Sequence, residues 1–190
     1  MATPEISTPR RGQARTRVIE AALRLFTRHG ISATSLQMIA DEIGVTKAAV
    51  YFQFRTKEEI VTAVIEPAMD QLEAIINTAR ATSPRSAQLD LLVGALVDLV
   101  VDNREMTAML ERDPALAGAV KNQERWWQIT HELGTLLRGD APTPEAKVGV
   151  TLIAGGLMMT GADPQLSEFD DEQLRQTLKS AMRKLIAFYE

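Results

Sequence analysis

The sequence of 190 residues contains no cysteine. Disulfides, cysteine-based zinc sites and thiol redox sensing are therefore excluded, and the composition suits a reducing compartment such as the cytoplasm. Histidine is almost as scarce, with only His29 and His131 present. No His-Glu-x-x-His pair, Gly-rich phosphate loop or Ser/His/Asp set occurs in a credible context, so catalysis is not expected, nor is a bound metal or cofactor. The N-terminus lacks the apolar stretch of a signal peptide. The longest uncharged run, residues 148–162, is too short to span a bilayer and holds Gly149, Gly155, Gly156 and Gly161. It reads as a buried helix, and no membrane partner is expected. Sustained period-2 alternation is also missing, which removes the sheet classes.

What is present is helical. Residues 1–12 are polar, carry Pro4, Pro9, Arg10 and Arg11, and are expected to be a disordered basic arm. A first helix is expected over 13–29, with a stripe of Ile19, Ala22, Leu23 and Phe26 and with Gly30 as a left-handed stop. A second is expected over 35–43, where Thr34 can cap and Gln37 completes a capping box. Gly44 ends it and Thr46 opens a third helix over 46–53. A fourth starts after Thr56, which forms a Thr-x-x-Glu box with Glu59. It runs to about residue 80 through Pro67. Further helices are expected over 85–102, 103–111, 114–138 and 144–161, and from Asp170 to the C-terminus. That makes about nine helices in an all-α chain, with an N-terminal domain over 13–56 and a helical body over 57–190, the fourth helix connecting them.

Helix, tight turn and short second helix over residues 35–53 are the layout of a helix-turn-helix. Ile39, Ala40, Ile43, Val45, Val50 and Phe54 supply the brace. Lys47, Ala48, Ala49, Tyr51 and Phe52 remain for the outer face of the recognition helix. Small residues let the backbone approach bases, an alanine methyl can touch thymine methyls, and Lys47 can donate to guanine or phosphate. The Thr46 and Tyr51 hydroxyls can reach phosphates. The helix N-termini at Thr34 and Ser35 and at Lys57 are anion sites in principle, and a cation at the second is unfavourable there unless a phosphate arrives. Charge is distributed accordingly: residues 1–60 hold nine Lys/Arg against six Asp/Glu, and residues 61–190 hold 12 against 19. A basic head on an acidic body suits a polyanionic partner at one end.

The runs Arg17-x-Ile19-x-Ala21-Ala22-x-x-Leu25-Phe26-x-x-x-Gly30, Thr34-Ser35-Leu36-x-x-Ile39-Ala40-x-x-x-Gly44-Val45 and Val50-Tyr51-x-x-Phe54-x-x-Lys57-Glu58-Glu59 resemble the DNA-binding domain of the TetR family of transcriptional repressors. The resemblance covers about 45 residues and places base and phosphate contacts on Gln37, Lys47, Ala48, Ala49, Tyr51, Phe52 and Lys57. Ala48 stands where the family often has glycine, Gln53 where histidine or tyrosine is common, and Ile60 where leucine is frequent. The operator sequence is left open by these departures. The resemblance implies a homodimer on double-stranded, pseudo-palindromic operator DNA, released by a small effector.

In the last helix Leu174, Leu178, Ala181, Leu185 and Phe188 follow an a/d spacing. In the preceding one Leu152, Gly155, Gly156 and Met159 permit close approach of another helix. These nine are the candidate dimer interface. Met106, Met109, Trp126, Trp127, Thr130, His131 and Met158 are the candidate lining of an adaptable apolar pocket. The alternatives are a dimeric DNA-binding regulator without effector and an all-α ligand carrier.

Overall fold

The computed structural model describes residues 11–139 and 143–187, and the side chains of most of them. Ten α-helices run along the described chain: α1 Arg11–His29, α2 Leu36–Ile43, α3 Lys47–Gln53, α4 Lys57–Arg80, α5 Arg85–Asp102, α6 Arg104–Arg112, α7 Pro114–Lys121, α8 Glu124–Arg138, α9 Pro144–Ala162 and α10 Asp171–Ala187. A short 3₁₀ turn, Pro164–Leu166, precedes α10. The all-α class follows from the sequence periodicity; the count exceeds the expected nine because the stretch 114–138 is two helices. Asn122 and Gln123 interrupt it, with Gln123 extended at φ −73° and ψ 132°. Asparagine is a weak helix former that favours turns, and the sequence has no Gly or Pro there to mark the break. The first ten residues of the expected basic arm lie outside the described residues, and its last two, Arg11 and Gly12, open α1.

The chain divides into two compact units, residues 1–65 and 66–190. The division falls inside α4, nine residues beyond the expected boundary and two residues before Pro67, which lacks a helical N–H.

In the first unit Val18, Ala21, Ala22, Leu25 and Phe26 form the buried face of α1, joined by Ile39, Ala40, Val50, Phe54 and Ile60. This face is rotated from the expected stripe: Ile19 and Leu23 sit at its half-buried edges. Residues 18, 21, 22, 25 and 26 follow the helical repeat more completely, and that is the face α2 and α3 cover. Gly30 and Gly44 stop their helices at φ 79° and 68°, a left-handed conformation that costs glycine nothing. The Gly44 N–H donates to Ala40 and Asp41 carbonyls, and Val45 N–H donates to Ala40 O at 2.9 Å.

The second unit is built around α5. Its Val93, Leu96, Val97, Val100 and Val101 pack with Ile153 and Leu157 of α9 and Leu174, Leu178 and Met182 of α10. Beside this seam runs a ladder of charges between α5 and α10: Arg175 pairs with Asp98 and Asp102 at 2.8 Å each, Lys179 with Asp98 at 2.7 Å, and Arg183 with Asp90 at 3.2 Å. Burial pushes the Asp98 carboxyl up, but the hydrogen bonds and charges of Lys179 and Arg175 outweigh it and hold Asp98 below its ordinary range.

Helix α8 is attached differently. Only Ile129 and Gly134 of it are fully buried. Arg125 grips Glu73 with two hydrogen bonds of 2.9 and 3.1 Å and also reaches Asp70, both on α4. Arg80 of α4 pairs with Glu132. Arg85 donates to the carbonyls of Leu136 and Leu137 at the end of α8. The Arg125 hydrogen bond is the main reason the Glu73 carboxyl lies below its usual range.

Candidate nucleic-acid interface

The short helix α3 is packed on one side and open on the other. Its Val50 is fully buried, and Phe54, which ends it, is 1% exposed. Thr46 caps its start, with Oγ1 accepting from Ala49 N–H at 3.2 Å. Outward stand Lys47, Ala48 and Ala49, all exposed, with Tyr51 at 52% and Phe52 at 71%. The expected outer face is therefore the face the fold presents. A cation, two methyls, a phenol and a phenyl ring share one short helix whose other side is packed against the core. Such a helix fits a major groove about 12 Å wide and can offer a hydrogen-bond donor, methyl contacts and ring contacts there.

Three arginines tie the brace together. Arg17 donates to the Ile43 carbonyl at 2.9 Å and so caps the end of α2. Arg24 pairs with Glu42 at 3.3 Å. The Arg15 guanidinium lies 4.2 Å from the centre of the Phe54 ring, a cation–π contact.

At the start of α2 the structure corrects the sequence reading. The cap is Ser35, whose Oγ accepts from Met38 N–H at 3.2 Å. Thr34 is 2% exposed and its hydroxyl donates to Gly30 O at 2.8 Å, so it is spent inside the α1–α2 loop and is not offered to DNA. With the cap one residue later, Gln37 falls out of the capping-box position. Its amide instead donates to Asp41 Oδ1 at 2.7 Å, one turn along. A carboxylate only accepts, so this bond fixes which way the amide points. The Gln37 carbonyl and one N–H stay free, the pair that matches adenine N6 and N7. Asp41 is absent from the sequence reading, although its i, i+4 spacing from Gln37 is a legible signal.

Lys57 is held by the loop that precedes α2. Its Nζ donates to the carbonyls of Ile31 at 2.7 Å, Thr34 at 3.2 Å and Ser32 at 3.3 Å. An ammonium has three donors, and all three are used. The box that follows is nearly as expected: Glu59 N–H donates to Thr56 Oγ1 at 3.1 Å, while Glu59 Oε2 accepts from Arg55 N–H rather than from Thr56.

The candidate pocket residues do not converge. Met109 is buried, and Met106, Trp126, Thr130 and Met158 are half-buried. Trp127 is 61% exposed and stacks on the equally external His131, ring centres 4.9 Å apart. Adjacent tryptophans lie about 100° apart around a helix, so one faces in and the other out. The Thr130 hydroxyl donates within its own helix, to Trp126 O at 2.8 Å.

Of the candidate dimer residues, Leu174 and Leu178 are buried in the core of their own unit and are not available to a partner. They serve the α5 seam because α10 packs most extensively on α5. Leu152, Gly155, Gly156 and Met159 of α9 and Ala181 and Leu185 of α10 are exposed, and Val148 extends the α9 stripe. Phe188 lies outside the described residues. Among the described residues no helix is long and apolar enough to cross a membrane, and no His/Asp/Glu group could hold a metal ion.

Residues 18–64 match the model of bacterial regulatory proteins of the tetR family. The chain is 33% identical over 95 residues to the HTH-type transcriptional regulator TtgR of Pseudomonas putida, covering 48% of this chain and 45% of that protein. It is 30% identical over 100 residues to AcrR of Shigella flexneri, covering 51% and 46%. The chain thus spans about half the length of the curated relatives it matches. Its fold is that of the ketosteroid transcriptional regulator KstR2 of Mycobacterium tuberculosis, with a TM-score of 0.71 over 92% of this chain and 93% of that one at 17% identity.

Proposed function

We propose that this chain, a TetR-family regulator by its residues 18–64, represses transcription by binding a pseudo-palindromic operator as a homodimer, with α3 of each protomer in a major groove. The observation that carries the reading is the outer face of α3, where Tyr51 and Phe52 stand exposed on a helix whose Val50 is fully buried. Adjacent exposed aromatic rings mark an interaction surface. DNA supplies that use, with phosphate for Lys47 and the Tyr51 hydroxyl and thymine methyls for Ala48, Ala49 and Phe52. The protein works in the cytoplasm, where the operator is.

Dimerisation rests on α9. Val148, Leu152, Gly155, Gly156 and Met159 form an apolar stripe on the exposed side of a helix whose Ile153 and Leu157 are already buried. Two such stripes pack closely because glycine adds no Cβ, and a two-fold dimer places two recognition helices about 34 Å apart. A small, largely apolar effector in the second unit lowers operator affinity by favouring another spacing. Support for its site is confined to Met106, Met109, Trp126 and Met158 on the inner side, with Trp127 and His131 outside it. A coupling of about 1–3 kcal/mol changes DNA affinity roughly 5- to 150-fold.

Selection of bound sequences from a random DNA pool tests the reading. A two-fold symmetric consensus with salt-dependent affinity is expected. Recovery of an unenriched pool sinks it. Titrating apolar small molecules against the operator complex then separates an effector-responsive repressor from an effector-independent one.

A further inference from the structure

The two exposed flanks of α2 are used differently. Ile39 and Ala40 point into the core between them. On one flank Glu42 is taken by Arg24 of α1 at 3.3 Å. Gln37 and Asp41 stand on the other, both exposed. At 100° per residue these two are about 40° apart around the helix, and Glu42 is about 100–140° from them. Their flank therefore turns away from α1. It carries an amide bonded to a carboxylate, with Gln37 Nε2 donating to Asp41 Oδ1 at 2.7 Å.

The bond has a direction. A carboxylate offers acceptors only, so the amide nitrogen must face it. On a free surface such an i, i+4 pair is weak. In a groove that excludes water it is stronger, because turning the amide over presses its carbonyl against the carboxylate. What remains to Gln37 is one acceptor beside one donor. Adenine presents the N6 amino group and N7, a donor beside an acceptor, whereas guanine presents O6 and N7, two acceptors. The held amide fits adenine and sets its carbonyl against guanine O6. Asp41 is itself an anion facing a polyanion and gains nothing from the phosphates.

We infer that Asp41 is a specificity-determining positioning residue, which holds the Gln37 amide in the orientation that reads adenine and rejects guanine; this rests on the DNA-binding reading above. Asp41→Asn keeps the size and one acceptor of the side chain, but its amide nitrogen can also donate to Gln37 Oε1. Gln37 is then free to turn its own nitrogen toward the base.

Two measurements test this. In the first, wild type, Gln37→Ala and Asp41→Asn each select sequences from a random duplex pool. The wild-type consensus is expected to hold an adenine in each half-site whose identity is lost with Gln37→Ala. Guanine is then placed at that position in one half-site only. Wild type is expected to discriminate against it about 5- to 150-fold, the range of one bidentate pair. Asp41→Asn is expected to discriminate by less than about threefold, with the rest of its consensus as in wild type. A merely structural role for Asp41 weakens both operators and leaves their ratio alone. That result overturns the inference, as does a Gln37→Ala consensus equal to the wild-type one or changed at a base other than adenine. The second measurement needs no variant to fold. 7-Deazaadenine, which lacks the N7 acceptor, replaces each adenine of one half-site in turn. Wild-type affinity is expected to fall about fivefold or more at one of them. No loss at any adenine overturns the inference. A wild type without any sequence preference overturns the DNA-binding reading itself.

Discussion

Val50 and Tyr51 are neighbours in α3 with opposite surroundings, and truncating each to alanine should separate stability from recognition. Val50 is fully buried. Val50→Ala removes two methyl groups at about 0.8 kcal/mol each, and the residual cavity raises the cost to roughly 2–3 kcal/mol. Tyr51 has half its surface in water, so Tyr51→Ala should change the unfolding free energy by less than about 1 kcal/mol. Its hydroxyl is assigned to a phosphate, and a hydrogen bond to a charged group contributes roughly 1.5–3 kcal/mol. The homodimer loses two such bonds, about 3–6 kcal/mol, so at about 1.4 kcal/mol per factor of ten operator affinity should fall roughly 140- to 20,000-fold. Urea unfolding followed by circular dichroism reads the first quantity, and fluorescence anisotropy of labelled operator at fixed salt reads the second. If Tyr51→Ala costs as much stability as Val50→Ala, or leaves operator affinity intact, the assignment of the α3 outer face is refuted.

Other perturbations give equally definite expectations. A Cβ added at Gly156 meets nothing within 4 Å in its own protomer, so Gly156→Ala should stabilise α9 by roughly 0.5–1 kcal/mol. Sedimentation should nevertheless show a weaker dimer, and an unchanged dimer would show that the glycine stripe is not the contact. Asp98 has a depressed pKa, so its contribution to stability is present above its unfolded value near pH 4 and disappears as pH falls through the folded one. Arg175→Met should flatten that acid limb in pH-dependent melting curves; an unaltered limb would show that the ladder does not supply it. Ser35→Ala should cost about 1 kcal/mol in urea unfolding through loss of the α2 cap, and no change would return the cap to Thr34.

Much of the local structure was legible in the sequence because the signals are local. The stops at Gly30 and Gly44, the caps at Thr46 and Asp170, and the outward set on α3 each depend on residues within one turn. Lys57 was not legible because its partners are 23–26 residues away and are backbone atoms, which have no sequence signature. Thr34 and Ser35 illustrate the one-residue ambiguity of caps: either can cap, and burial of Thr34 against Gly30 decides. Leu174 and Leu178 have the spacing of a partner seam and of a core seam alike; only the position of α5 resolves them. The inward or outward choice between Trp126 and Trp127 is of the same kind.

The polar attachment of α8 bears on how this protein is observed in solution. Isolated surface ion pairs are individually weak, and added salt screens them further. The arginine clips to Asp70, Glu73 and Glu132 should therefore loosen with ionic strength sooner than the aliphatic seam of α5, α9 and α10. Both tryptophans of the chain lie in α8. The intrinsic fluorescence of the molecule is thus a reporter of one salt-sensitive wall, and unfolding followed by that signal will run ahead of circular dichroism as salt is raised.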